Sequence, residues 1–268
     1  MIPAAFEYAR ADSVEHAVEL LGGEDAKLIA GGHSLIPLLR LRFARPSTLV
    51  DIGRLDGLRY VREDGDRIAI GALTRHADLA RDPVLAKRCP LVAQVAEGIG
   101  DPQVRHRGTI GGSVAHADPA SDLGTLMLTL DAELVAHGPD GERTIPAGAF
   151  FLGPFTSALD PREVLIELRI PAVSEGVYIK HVRRAQDWAL VGVAAARVDG
   201  ATRVGLTSMG ATPLRAAAVE EAVAQGASPA DAAAHATEGT EPASDAQGSA
   251  AYRAHLAGVL VRRALERL

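Results

Sequence analysis

The first third of the chain alternates one helical apolar pattern with short apolar runs. Ser13 stands before apolar residues at helical spacing, and these are Val14, Ala17, Val18 and Leu21. This pattern predicts a helix capped by Ser13. Apolar runs at 27–30 and 49–52 predict strands, with a helical turn beginning at Ser34 between them. The result is a small α/β unit of residues 1–55.

The middle of the chain mixes hairpin strands with helices. The predicted strands are 58–62, 67–71, 132–136 and 164–170. The predicted helices are 75–80 with Thr74 as its cap, 83–98 interrupted at Pro90, and 119–130. Residues 108–113 (GTIGGS) predict a glycine-rich loop. These elements make a second unit, residues 56–171.

The last hundred residues predict strands followed by helices. Strands are expected at 176–182, 189–198 and 203–209, and amphipathic helices at 213–225 and 251–268. The segment between those helices predicts a loop with one short helix opening at Ser228. The whole chain is therefore expected to be α+β, with residues 172–268 as its third unit.

Composition and charge exclude several classes of function. With 47% apolar and 23% charged residues, the chain has the composition of a folded protein. A net charge of −6 argues against a chain-wide nucleic-acid-binding surface. Cys89 is the single cysteine, so the chain cannot ligate an iron–sulfur cluster or a zinc ion through cysteines alone. No apolar run approaches the ~20 residues of a membrane span, and no secretory signal is visible, so a cytoplasmic protein is expected.

Two glycine motifs carry the chemical information. The first is residues 30–34 (AGGHS), and the second is residues 109–113 (TIGGS), followed by residues 118–122 (DPASD). Glycine lets a backbone N–H group approach a phosphate closely, and successive N–H groups form an anion-binding concavity. Two such loops predict a diphosphate site, and Asp122 is expected to accept hydrogen bonds from sugar or ribityl hydroxyls. Neither the Rossmann nor the P-loop fingerprint is present.

These motifs closely resemble those of the FAD-binding medium subunits of molybdenum hydroxylases, the family of carbon monoxide and xanthine dehydrogenases. Residues 30–35 (AGGHSL), 107–113 (RGTIGGS) and 118–122 (DPASD) carry the resemblance, and the opening FEY at 6–8, IGALT at 70–74 and VGVA at 191–194 follow the family in order. The resemblance covers nearly the whole chain.

The resemblance implies a two-subdomain FAD-binding fold of the vanillyl-alcohol-oxidase type, followed by a C-terminal α+β domain with a small antiparallel sheet. It implies noncovalent FAD, with no flavin bond to His33. It also implies a small [2Fe–2S] subunit and a large molybdenum-cofactor subunit as partners, in a dimer of heterotrimers. Electrons would pass from the iron–sulfur centres through FAD to an external acceptor.

The resemblance, together with the glycine motifs, gives a set of expected FAD contacts. They are Ile29, Ala30, Gly31, Gly32, His33, Ser34, Leu35, Thr109, Ile110, Gly111, Gly112, Ser113, Asp118, Asp122, Leu165, Lys180 and Trp188. An ammonium at Lys180 would favour an anionic reduced flavin. Trp188 would either stack on the flavin or lie in the core. Arg105 and Arg107 would neutralise the diphosphate, pair with Asp101, or lie in solvent.

No residue stands out as an acid–base catalyst, and no metal site is expected in this chain. Two further functions stay open from the sequence. One is a stand-alone FAD-dependent oxidoreductase acting on a small organic substrate. The other is a non-catalytic scaffold that has lost its flavin.

Overall fold

The computed structural model describes all 268 residues, and its first unit is a small parallel sheet. Its elements are β1 (Glu7–Arg10), α1 (Val14–Leu20), β2 (Ala26–Ile29), α2 (Leu35–Leu41) and β3 (Thr48–Asp51). The strand order is β1-β3-β2, and both pairings are parallel. Parallel neighbours need crossover connections, which α1 and α2 provide.

The two serine caps expected in this unit have different outcomes. Ser13 Oγ accepts a hydrogen bond from the His16 N–H at 3.1 Å, so the predicted cap of α1 is confirmed. The cap expected at Ser34 is wrong, because that side chain makes no capping hydrogen bond. Ser34 has helical backbone angles itself, and the N–H groups that begin α2 have no side-chain acceptor there.

The second unit contains a five-stranded antiparallel sheet. Its helices and strands, in chain order, are β4 (Val61–Asp64), β5 (Arg67–Gly71), α3 (His76–Leu79), α4 (Pro83–Arg88), α5 (Pro90–Glu97), α6 (Pro102–Arg105), α7 (Ile110–His116), α8 (Asp122–Thr129), β6 (Glu133–Gly138), β7 (Gly141–Pro146), β8 (Phe151–Gly153), β9 (Thr156–Ser157) and β10 (Val164–Pro171). The sheet has the order β4-β5-β10-β6-β7, and β8 and β9 form a separate short hairpin.

Three features of this unit test the sequence patterns. Pro90 divides the predicted helix 83–98 into α4 and α5, as expected of a residue that lacks an N–H group. Thr74 is not a helix cap, because its hydroxyl instead bonds both backbone groups of Tyr60. All eight residues of α8 are buried, which places that helix between layers of the structure.

The third unit is an antiparallel meander covered by helices. Its elements are β11 (Gly176–His181), β12 (Val191–Val198), β13 (Ala201–Thr207), β14 (Leu214–Arg215), α9 (Ala217–Ala224), α10 (Pro229–Ala233) and α11 (Ala250–Leu265). The predicted helix start at residue 213 is wrong, because Leu214 and Arg215 pair with β13. Ala196 and Val198 belong to the same apolar core as α5 and α8, so the second and third units pack together.

The α+β class is confirmed by these four sheets and their helices. The boundaries 1–55, 56–171 and 172–268 stay a prediction, and each of these ranges contains one of the three larger sheets. None of the helices is both long enough and apolar enough to cross a membrane.

Candidate functional site

The first glycine loop, residues 30–35, joins β2 to α2 and keeps its backbone donors free. The N–H groups of residues 31–35 donate no hydrogen bond within the protein. Gly31 is required here by close approach, because a Cβ on it would overlap the Arg107 carbonyl and contact Gly108 Cα at 2.9 Å. This loop therefore lies against the second glycine motif, and its row of unsatisfied donors suits an anion.

The second glycine motif is not a loop, and this expectation is wrong. Thr109 caps α7, accepting a hydrogen bond from the Gly112 N–H at 3.2 Å, and Gly111, Gly112 and Ser113 are helical. The N–H groups of Ile110 and Gly111 donate to Thr74 and Ala72 carbonyls at 3.0 and 2.8 Å. Ser113 donates to the Thr109 carbonyl. These donors already have acceptors in the protein, and contact of residues 109–113 with a diphosphate stays a prediction.

Packing, rather than a ligand, explains the glycine at position 111. A Cβ built on Gly111 would lie 2.5 Å from Ala72 Cβ and 2.7 Å from the Ala72 carbonyl oxygen. Both distances are far below van der Waals contact. Gly111 therefore lets α7 begin directly against the end of β5, where its N–H meets the Ala72 carbonyl.

A cleft lies between the first glycine loop and the start of α7. Its polar lining comes from both of the first two units, and it consists of Gly31, Gly53, Arg59, Arg75, Arg107 and Thr109. No lining residue carries a carboxylate, and three carry guanidinium groups. The cleft is therefore electropositive and suited to an anion.

The arginines around the cleft differ in what already holds them. Arg59 donates to the Gly53 carbonyl and pairs with Asp56 at 3.1 Å. Arg105 donates to two backbone carbonyls at 2.9 and 3.0 Å, so its expected pairing with Asp101 is wrong. Arg75 and Arg107 make no side-chain hydrogen bond or ion pair. Sequence reasoning missed Arg59 and Arg75, because only the fold brings them to the cleft.

A buried polar cluster joins the second unit to the third. Asp122, at the first position of α8, accepts hydrogen bonds from Tyr178 at 2.6 Å and from Lys180 Nζ at 2.8 Å. The Asp122 and Lys180 side chains are 7% and 16% exposed. Burial, and then the Asp122 charge, raise the pKa of Tyr178 well above its ordinary value, so its hydroxyl stays a donor. The structure thus brings together two predicted site residues 58 positions apart.

Residues beside this cluster support the turn into α8. Ser113 Oγ lies 3.1 Å from Ser121 Oγ, and Asp118 accepts a hydrogen bond from the Ala120 N–H at 2.9 Å. Tyr178 also lies 3.2 Å from the Thr207 hydroxyl. Asp118 and Ser113 therefore hold the chain between α7 and α8, next to Asp122.

The remaining predicted FAD contacts differ in how deeply their side chains are buried. Leu165 is buried in β10 opposite Ala136 and belongs to the core. Trp188 is 64% exposed, so the interpretation as a core residue is wrong. His33 is exposed in the first glycine loop, whereas Leu35 is buried beneath it. Contact of these side chains with a flavin stays a prediction.

His76 is a buried group that the sequence pattern did not distinguish. It is 4% exposed, its Nδ1 has no hydrogen-bond partner, and its ring packs where a Cβ on Gly108 would lie. Burial lowers the pKa of His76 to about 4, and Coulombic interactions with His33 and Arg105 lower it further. The His76 ring is therefore neutral at pH 7, which suits a position close to positively charged side chains.

Comparison with known proteins identifies the class of this site. A family model described as the FAD binding domain in molybdopterin dehydrogenase matches residues 4–173, and one described as the CO dehydrogenase flavoprotein C-terminal domain matches residues 177–268. The chain belongs to the FAD-binding medium subunits of the molybdenum hydroxylases. It is therefore an FAD-binding oxidoreductase subunit.

Relatives of this family resemble the chain over its whole length. The carbon monoxide dehydrogenase medium chain of Hydrogenophaga pseudoflava is 44% identical, over 99% of this chain and 97% of the relative. The 6-hydroxypseudooxynicotine dehydrogenase complex subunit alpha of Paenarthrobacter nicotinovorans is 41% identical, over 99% and 95%. These medium subunits confirm the predicted family and favour it over a stand-alone oxidoreductase.

Solved structures of the family have the same fold. Carbon monoxide dehydrogenase from Hydrogenophaga pseudoflava, lacking the Mo-pyranopterin moiety, matches with a TM-score of 0.94 and 45% identity. The match covers 100% of this chain and 98% of that chain. Quinoline 2-oxidoreductase from Pseudomonas putida 86 matches with a TM-score of 0.93 and 32% identity, over 99% and 97%. The predicted FAD-binding fold of the medium subunits is confirmed.

The residues present fit FAD. A diphosphate needs several hydrogen-bond donors and positive charge; the first glycine loop offers the free N–H groups of residues 31–35, and its Gly31 lines the same cleft as Arg75 and Arg107. The isoalloxazine chemistry comes from the cofactor itself, while the protein supplies binding, orientation and electrostatics. The chain has no need of an acid–base catalyst of its own for such a role.

Proposed function

We propose that this medium subunit binds FAD without a covalent bond and relays electrons from iron–sulfur centres of a partner to an external acceptor. The observation that carries the proposal is the row of unsatisfied N–H groups at residues 31–35, of which Gly31 lines a cleft that holds three arginines and no carboxylate. Such donors need an anionic acceptor, and the diphosphate of FAD supplies one. A scaffold that had lost its flavin would have no use for these free donors.

The remaining FAD contacts are proposed from the same arrangement. The diphosphate lies against residues 30–35 and the edge of α7 at residues 109–113. The ribityl hydroxyls lie near Asp118 and Asp122, whose carboxylates keep unused lone pairs. Lys180 is held by Asp122 and presents a positive charge toward the flavin, with Leu165 and Trp188 as its apolar surroundings.

The partners are proposed from the family. Electrons enter from a small [2Fe–2S] subunit, and a large subunit holds the molybdenum cofactor, in a dimer of heterotrimers. The support is the similarity to relatives named as a medium chain and as a subunit of a dehydrogenase complex. We also propose that the complex works in the cytoplasm.

Reconstitution of the flavin-free chain with FAD tests the binding step. Gly31→Ala places a methyl group into the Arg107 carbonyl, which separates the first loop from the cleft, so FAD affinity should fall at least tenfold. Gly57→Ala is the matched control, because a Cβ there meets nothing within 4 Å. Flavin absorbance and fluorescence measure both affinities. Equal affinity of the two variants would contradict the proposed site.

Acid precipitation tests the noncovalent bond. Denaturing the FAD-loaded chain in acid should leave all yellow colour in the supernatant, because no bond to His33 retains it. Flavin remaining with the precipitated polypeptide would contradict this part of the proposal.

Co-expression with candidate partner subunits tests the electron route. The affinity-tagged chain should retain an iron–sulfur protein, and reduction of that protein should bleach the flavin absorbance of this subunit. If the isolated chain instead oxidises a small organic substrate and retains no iron–sulfur partner, the relay function is wrong.

A further inference from the structure

We propose that Arg75 and Arg107 act as a pair that neutralises the two negative charges of the FAD diphosphate. This inference rests on the proposed FAD site and extends it. The first glycine motif then supplies backbone N–H groups, whereas the guanidinium groups come from Arg107, just before the second motif, and from Arg75, just before α3.

The unmet hydrogen-bonding capacity of these side chains is the first argument. A guanidinium group carries five N–H donors, yet Arg75 and Arg107 donate none of theirs within the protein. Arg59, in the same cleft, differs because Asp56 and the Gly53 carbonyl already hold it. Arg107 is exposed and Arg75 is half-buried, so both guanidinium groups remain available to a ligand in a cleft whose lining carries no carboxylate.

Backbone geometry gives the second argument. Arg75 and Thr109 form an isolated antiparallel bridge, in which His76 donates to Gly108 and Ile110 donates to Thr74. The bridged residues themselves exchange no hydrogen bond, so their side chains share one face at close range. This bridge directs Arg75 to the face of Thr109, two residues from Arg107 and next to Gly31.

The available backbone donors point to the same assignment. The N–H groups of Ile110, Gly111 and Gly112 have protein acceptors, whereas that of Thr109 has none. The second motif therefore contributes one backbone donor, and it needs side chains to match the charge of a diphosphate. Bidentate guanidinium contacts provide this match.

The positive charge of the cleft is the remaining argument. Arg59, Arg75 and Arg107 line one small space, and Arg105 lies close enough to His76 to lower its pKa further. Like charges at this density repel one another. A dianion between Arg75 and Arg107 removes that repulsion and adds charge-assisted hydrogen bonds.

The test measures FAD affinity of the flavin-free chain by fluorescence titration at low salt. Arg75→Gln should raise the Kd for FAD by about 10- to 100-fold, the range for loss of a hydrogen bond from a charged group. Arg107→Gln should do the same, and Arg75→Lys should recover part of the loss. Arg81→Gln is the control, since Arg81 is exposed, near in sequence and outside the cleft.

Inorganic pyrophosphate and riboflavin separate the diphosphate from the rest of the cofactor. Pyrophosphate should compete with FAD for the unmodified chain and lose that ability in Arg75→Gln. Riboflavin, which has no phosphate, should bind the unmodified chain and Arg75→Gln equally. Equal FAD affinity of Arg75→Gln and the unmodified chain would overturn the proposal.

Salt dependence gives a measurement that needs no variant. The Kd for FAD should rise steeply with sodium chloride, because added ions screen the guanidinium–diphosphate attraction. A flat salt dependence would overturn the paired-arginine assignment while leaving FAD binding itself intact. Failure of the unmodified chain to bind FAD at all would instead refute the proposed function.

Discussion

Replacing Gly111 by alanine separates two explanations for the second glycine motif. If packing against β5 requires the glycine, the added methyl group must displace Ala72, since it would lie 2.5 Å from Ala72 Cβ and 2.7 Å from the carbonyl oxygen. Overpacking of this kind costs about 1–3 kcal/mol. If nothing stood there, alanine would stabilise a helical position by about 0.5–1 kcal/mol. The two explanations therefore predict opposite signs.

Thermal unfolding of the flavin-free chain, followed by circular dichroism at 222 nm, measures this sign. Gly111→Ala should lower Tm by about 2–12 °C, from the usual relation between free energy and Tm for a chain of this size. Gly258→Ala in α11 is the control, because its Cβ would meet only the Ala233 carbonyl at 3.7 Å. That control should raise Tm slightly. A raised or unchanged Tm for Gly111→Ala would refute the packing explanation.

Two further predictions concern buried titratable side chains. Asp122→Asn leaves the Lys180 ammonium, whose side chain is 16% exposed, without its charged partner. The free energy of unfolding should therefore fall by about 3–5 kcal/mol in urea titrations. Adding Lys180→Met should recover part of this loss, and a loss below 1 kcal/mol would contradict a buried pair. His76 has a pKa of about 4 when folded, against an ordinary 6.5 when unfolded. The contribution of His76 to the free energy of unfolding is thus fully present above pH 6.5 and decreases by up to ~3 kcal/mol between pH 6.5 and 4, because the unfolded chain takes up a proton there. His76→Gln should flatten this part of the plot of urea midpoint against pH. An identical plot for the variant and the unmodified chain would count against this prediction.

The sequence predicted most elements correctly where a short pattern decided them. The helix after Ser13 and the break at Pro90 follow from local chemistry alone, namely a capping hydroxyl and a missing N–H group. The start of α9 was wrong, because Leu214 and Arg215 pair with Leu206 and Gly205 of the preceding strand β13. The apolar spacing that predicted a helix from residue 213 does not show this short pairing.

The candidate site likewise combines short motifs that the sequence shows with contacts that only folding creates. The glycine motifs and Asp122 were recognisable as short sequences, and the family resemblance added Lys180. The contact between Lys180 and Asp122 depends on docking of β11 against α8. Residues 110–113 begin a helix rather than forming a loop, and the acceptors for the Ile110 and Gly111 N–H groups are Thr74 and Ala72, over thirty residues earlier.

The sequence, through its resemblance to a known family, determined the class of this protein: an α+β FAD-binding subunit whose single cysteine is too few to ligate a cluster. Motifs sufficed because a flavin fold requires particular residue types at short spacing. Only the tertiary structure decided which donors remain free for an anion. An N–H group or a guanidinium is available to a ligand only if no other part of the chain satisfies it, and that depends on neighbours that folding brings from far away in the sequence.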